Sequence, residues 1–256
     1  MIRSLCALFC ATVFAVVALC AADAAYLGKW KFNPSKSVLT GDTATIENTS
    51  DGMMQFKSQG FDYKFRLDGK EYPAPDGTTT AWKAVSTDRW EVTFRLNGKI
   101  VVTYLLTNQG NTMRVKISQK KPDGGSIDSD ATYARVSGGP GFLGKWRGTE
   151  VKQPATVLEL AANGTDGLTL KDESGFLVNA KFDGKDYPGG GRIAGSKYTY
   201  SFKKTGDRSI EITTKLDGKP YYVDAYTVSA DGKTLTDNGF AVNAKDEKIT
   251  VVYDRQ

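Results

Sequence analysis

The chain repeats itself. Tyr26-Leu27-Gly28-Lys29-Trp30 is answered by Phe142-Leu143-Gly144-Lys145-Trp146. Leu67-Asp68-Gly69-Lys70-Glu71-Tyr72-Pro73 is answered by Phe182-Asp183-Gly184-Lys185-Asp186-Tyr187-Pro188. Asp88-Arg89 matches Asp207-Arg208, and Leu96-Asn97-Gly98-Lys99 matches Leu216-Asp217-Gly218-Lys219. The halves close on Tyr133-Ala134-Arg135 and Tyr253-Asp254-Arg255. Ordered matches at nearly constant spacing mark a tandem repeat of one module of roughly 110 residues. The fold must therefore be one that such a module adopts twice. The matches predict two domains, 25–137 and 142–256, joined by Ser137-Gly138-Gly139-Pro140-Gly141 as a flexible-then-stiff linker.

Within each half the hydrophobic period is two. Trp90, Val92, Phe94 and Leu96 alternate with Glu91, Thr93 and Arg95; Tyr198, Tyr200 and Phe202 alternate with Lys197, Thr199 and Ser201. That is the pattern of half-buried strands, and no stretch after the leader sustains a helical period. Asp68-Gly69, Asn97-Gly98, Asp183-Gly184, Asp217-Gly218 and Asp231-Gly232 supply tight turns. The fold class is all-β, with about eight or nine antiparallel strands per half. An even meander of that count closes best as an up-and-down β-barrel, which removes the edge strands; paired β-sandwiches are the alternative.

Residues 1–24 read as a secretory signal peptide: Arg3, an uncharged apolar run from Leu5 to Leu19, then small residues around Ala22-Asp23-Ala24. The run is shorter than the ~20 residues that span a bilayer, so no membrane span is expected after cleavage. Cys6, Cys10 and Cys20 all fall in this leader, leaving a mature chain that is held by core packing without disulfides. The expected address is exported, periplasmic or extracellular. The net charge of +5 is spread along the chain without a basic run, which gives no footing to a nucleic-acid partner.

Gly-x-Trp at the start of each half, with Tyr-x-Arg on the last strand, resembles the lipocalin and wider calycin pattern. In that family the tryptophan closes the barrel floor and an arginine of the last strand packs across it. The resemblance implies two lipocalin-like barrels, closed by Trp30 with Arg135 and by Trp146 with Arg255. A guanidinium stacked on indole while its donors meet backbone carbonyls is physically sound. A broader likeness covers nearly all of the chain after the leader. Gly28-Lys29-Trp30-Lys31-Phe32-Asn33-Pro34-Ser35-Lys36-Ser37, Asp231-Gly232-Lys233-Thr234-Leu235-Thr236 and Val252-Tyr253-Asp254-Arg255-Gln256 look like a group of exported bacterial proteins without an assigned activity.

The chain has no histidine, which removes the usual general base, the usual zinc and haem ligand, and the Ser-His and Cys-His pairs. Carboxylates sit mostly in Asp-Gly turns. The acids of Asp123–Asp130 lack the spacing of a calcium loop. Pro188-Gly189-Gly190-Gly191-Arg192 is glycine-rich beside a basic residue but lacks the ending of a phosphate loop. The expectation is a protein that is not an enzyme and carries no cofactor or metal. Strand aromatics remain, and they either line a cavity or fill a small barrel completely. Tyr222, Tyr226 and Asp224 fall on one face of a strand in the second half, beside small residues such as Ala241, and are the expected ligand-binding residues. Trp82, Trp90 and Phe94 make the first half look fuller. The function expected is binding of a small apolar or amphiphilic ligand in a barrel. The alternative is an envelope or surface module with filled barrels that binds a polymer or protein partner.

Overall fold

A computed structural model describes residues 24–256. The expected leader therefore lies, apart from Ala24, outside the described residues. The fold is all-β: every regular element is a strand except one 3-10 turn, Pro34–Lys36, which Asn33 caps by accepting the Ser35 and Lys36 N–H groups. Strand β1 is Gly28–Phe32. A first run of strands follows: β2 Thr43–Asn48, β3 Met54–Ser58, β4 Phe61–Phe65, β5 Asp68–Pro73, β6 Thr79–Ser86, β7 Arg89–Leu96, β8 Lys99–Gln109, β9 Thr112–Lys120, β10 Ser126–Ser137 and β11 Gly144–Lys152. The second run is β12 Val157–Ala162, β13 Gly167–Asp172, β14 Phe176–Lys181, β15 Tyr187–Gly191, β16 Tyr198–Gly206, β17 Ser209–Leu216, β18 Lys219–Val228, β19 Thr234–Ala241 and β20 Ala244–Arg255. They form two antiparallel meanders of ten strands each, one more than the upper expectation.

The barrels are out of phase with the sequence repeats. β2 to β11 make the first barrel, so the second repeat's opening strand belongs to it: β11 pairs with β10 and with β2. β12 to β20 make the second barrel, and β1 completes it by pairing with β12 and β20. The expected division into 25–137 and 142–256 is corrected accordingly. The Gly-Pro segment joins no domains; it is the hairpin loop between β10 and β11. Glycine makes that loop possible. A Cβ on Gly144, whose φ is +127°, would sit 2.1 Å from the Ser137 carbonyl oxygen, and one on Gly138 would sit 2.4 Å from the Gly144 Cα. Closing a short hairpin costs less chain entropy than sending the same strand to the other barrel. The chain instead passes between barrels at 33–42 and 153–156.

The exchange also re-pairs the barrel floors. Arg135 stacks on Trp146 and Arg255 on Trp30, instead of the expected Trp30 with Arg135 and Trp146 with Arg255.

The second barrel closes through β14 and β15, where Phe176, Leu177 and Val178 oppose Gly191, Gly190 and Gly189. Those glycines allow the approach: a Cβ on Gly191 would fall 2.1 Å from the Gly175 carbonyl, and one on Gly189 2.3 Å from Ile193. The first repeat has Ala74-Pro75-Asp76 at this place, and Pro75 has no N–H to donate. β4 and β5 accordingly stay unpaired, and the first barrel is open along one seam.

The barrels meet mouth to mouth. The floor of each lies at its Trp-Arg stack. The turns at the opposite ends face each other: Phe61 packs edge-on against Tyr221, Lys197 N–H donates to the Asp76 carbonyl, Asn97 donates to the Ala194 carbonyl, and Gly175 faces Pro122. Thr43 donates through its N–H and hydroxyl to Glu247, and Val38 bridges Thr250. Among the described residues no helix is long and apolar enough to cross a membrane.

Candidate functional site

The floor of the first barrel is solid. Trp146 is fully buried, its indole N–H donates to the Phe142 carbonyl, and Phe142 stacks on Trp90 with ring centres 4.2 Å apart. Trp82 lies flat on Phe65 at 4.0 Å. These stacks draw the large rings of the first half toward one end and one wall. Above them the barrel is hollow. A cavity of about 520 Å³ runs from Trp82, Val92 and Leu106 up past Phe56, Tyr63, Phe94 and Tyr104 to the junction between barrels. Phe176, Arg192, Ile193, Tyr198, Tyr200 and Tyr221 of the second barrel cover its mouth. The expectation that the first half is the fuller one is overturned, because ring-on-ring stacking compacts Trp82 and Trp90 and because the unpaired seam leaves the barrel wider.

Polar groups in the cavity are few and have distinct surroundings. The Tyr63 hydroxyl and the Trp82 indole N–H are buried without a hydrogen-bond partner among the described residues. Burial raises the Tyr63, Tyr104 and Tyr198 phenols above their ordinary range, so all three remain protonated donors. Asp76 accepts the N–H and the hydroxyl of Thr78 and so serves its own turn. Arg192 is half-buried at the mouth, and desolvation pulls its pKa down while Asp172 opposes that.

The second barrel is nearly filled. A void of about 200 Å³ remains, lined by Leu170, Val178, Tyr200, Phe202, Ile212, Thr214, Asp224 and Tyr226, with Phe176 at its edge. Two expected ligand residues, Asp224 and Tyr226, thus face an interior space, but one below the ~300 Å³ at which ligand pockets begin. Tyr222 does not line it; its ring lies over Gly239, where a Cβ would come within 2.5 Å of the hydroxyl. Asp224 instead faces Asp237, with the Tyr226 hydroxyl and the Ala225 N–H also turned to Asp237. Burial, then the neighbouring acid's charge, raises Asp224 well above the carboxylate range; burial raises Asp237. Two carboxyls in contact inside a barrel hold a proton between them, and the arrangement reads as a core polar cluster. Of the residues expected to line a cavity in the second barrel, Asp224 and Tyr226 line this small void and Tyr222 does not, while the larger cavity belongs to the first barrel.

Tyr221, next to the expected Tyr222, is the tyrosine of this strand that lines the larger cavity. A bulge opposite Thr214 and Lys215 turns it to the junction, where it meets Phe61 and Tyr198. Arg192 carried a signal, the glycine run before a lone basic residue, but its meaning depends on the strand closure that the run permits.

Trp30, Arg135, Trp146 and Arg255 are all closure residues, in the exchanged pairs. Arg135 donates to the carbonyls of Leu143, Gly110 and Gly141; Arg255 donates to those of Gly232, Leu27 and Ala25. No group of three or more acids or other metal-ligating residues comes together among the described residues. The chain matches no protein-family model, no curated protein and no solved structure.

Proposed function

We propose that this is an exported binding protein that holds one small apolar or amphiphilic molecule in its first barrel. The observation that carries the reading is the cavity of about 520 Å³, closed at the Trp146 floor and covered at its mouth by the second barrel. Its size falls within the ~300–1,000 Å³ of small-molecule pockets, and its walls are aromatic and aliphatic with a few hydroxyls. A molecule there exchanges water-exposed apolar surface for contact with Phe56, Phe94, Leu106 and Val115. Export rests on the leader at residues 1–24.

The test is a fluorescence titration of the full chain with an environment-sensitive apolar dye such as Nile red. Leu106→Trp places an indole in the void. It is expected to weaken dye binding by roughly tenfold or more, equivalent to ~1.4 kcal/mol, while the chain keeps a cooperative melt. Equal affinity in the folded variant would refute binding in the first barrel.

A further inference from the structure

Arg192 reaches the cavity of the first barrel from the second. It follows β15, and its own N–H donates to the Gly175 carbonyl at 2.7 Å, which fixes the backbone where the two mouths meet. Its Nε is buried without a hydrogen-bond partner among the described residues, and no carboxylate there lies within ion-pair distance of its guanidinium. The acid whose charge acts on Arg192, Asp172, and the acid of the cavity lining, Asp76, both serve their own turns. Asp172 accepts from the Ser174 N–H and hydroxyl and from the Phe176 N–H, while Asp76 accepts from Thr78. The charge of Arg192 reaches across the junction to the Tyr104 phenol, which it pulls back toward its ordinary range. A half-buried cation with an idle donor at the rim of an apolar cavity is costly unless an anion meets it.

We propose that the occupant is a long-chain monocarboxylate, its apolar body in the first barrel and its carboxylate on Arg192. This rests on the cavity reading above and adds the head group. Guanidinium and carboxylate match as two parallel charge-assisted hydrogen bonds. A phosphate monoester fits less well. Among the described residues Arg192 is the only cation in the cavity lining and Asp76 the only acid, so a second negative charge has nothing there to meet. The second barrel thereby sets the selectivity of a cavity that the first barrel builds.

The experiment uses the full chain and three probes: a dansyl-labelled undecanoic acid, its methyl ester, and a long-chain alkyl phosphate as competitor. The acid is expected to bind about tenfold or more tightly than the ester, as a charged hydrogen bond of ~1.5–3 kcal/mol implies. In Arg192→Gln the acid-to-ester ratio should fall to about one, and Arg192→Lys should restore part of it. Equal binding of acid and ester by the unaltered chain overturns the head-group assignment while leaving the cavity reading standing. So does a ratio unmoved in Arg192→Gln, or displacement of the acid by the phosphate at lower concentration than by unlabelled acid. Binding of neither acid nor ester overturns both. The comparison in the unaltered chain decides the matter even where a variant fails to melt cooperatively.

Discussion

The guanidinium carbon of Arg135 lies 4.1 Å from the Trp146 ring centre, and that of Arg255 lies 4.0 Å from Trp30. Each arginine also ties carbonyls from separate turns, so one side chain seals a floor that the strands alone leave open. Trp146→Ala should cost about 3–5 kcal/mol in a urea titration, the range for a large buried aromatic. A double-mutant cycle then reads the exchange directly. Trp146 with Arg135 should couple by ~1 kcal/mol or more, whereas Trp146 with Arg255 should be additive within ~0.5 kcal/mol. The same scale explains the Asp-Gly turns. Only Asn97 and Asp217 join their glycines at positive φ. Asp68, Asp183 and Asp231 instead accept the N–H two residues on, and Tyr72 and Tyr187 donate to the same aspartates, which accounts for the repeated Asp-Gly-Lys-x-Tyr. The buried pair Asp224 and Asp237 has a pH signature. Burial raises both acids above their unfolded value of ~4, so the native state holds more protons than the unfolded chain from there upward. Their contribution is complete below ~4 and is lost as pH rises through the raised values. Surface acids held low, such as Asp254 beside Lys36 and Asn33, act in the other window and lose stability as pH falls below ~4. Asp224→Asn should therefore flatten the decline of the urea midpoint from about pH 5 upward; an unaltered slope would place the proton elsewhere.

Strands are where repeat and fold part company. β1 and β11 carry the same Gly-Lys-Trp and fit the same slot in either barrel, so pairing preference cannot choose between them. Connection length does: the 138–143 loop keeps β11 beside β10, and β1 fills the place left beside β20. A segment 40–153 should then fold alone, with a cooperative melt at higher temperature than segment 25–138, which lacks β11. The reverse order would restore the repeat boundaries. Alternation of apolar and polar residues, the Asp-Gly turns and the paired tryptophans made strands, antiparallel order and floor residues legible in the sequence. The phase was not, because two strands that open on the same Gly-Lys-Trp leave no local mark of which neighbour each takes. Nor was the cavity. Whether Trp82 fills a barrel or lies flat on Phe65 depends on ring geometry, and whether β4 meets β5 depends on Pro75 standing where Gly190 stands in the other half.

At the level of the whole molecule, two barrels facing each other enclose a space that neither repeat announces. The closed second barrel is packed around Phe202, Tyr226 and Leu235 and serves as the cover; the open-seamed first barrel holds the volume. The two repeated halves thereby take unlike parts, one as container and one as cover with Arg192 at the rim. The most direct measurement is a titration of the isotope-labelled full chain with dodecanoic acid, followed by amide correlation spectra. Shifts should concentrate on Tyr63, Asp76, Phe94, Tyr104 and Arg192, with Asp224 and Asp237 little affected. Shifts confined to the outward faces of the strands, or centred on Asp224 and Tyr226 inside the second barrel, would contradict a binding cavity in the first.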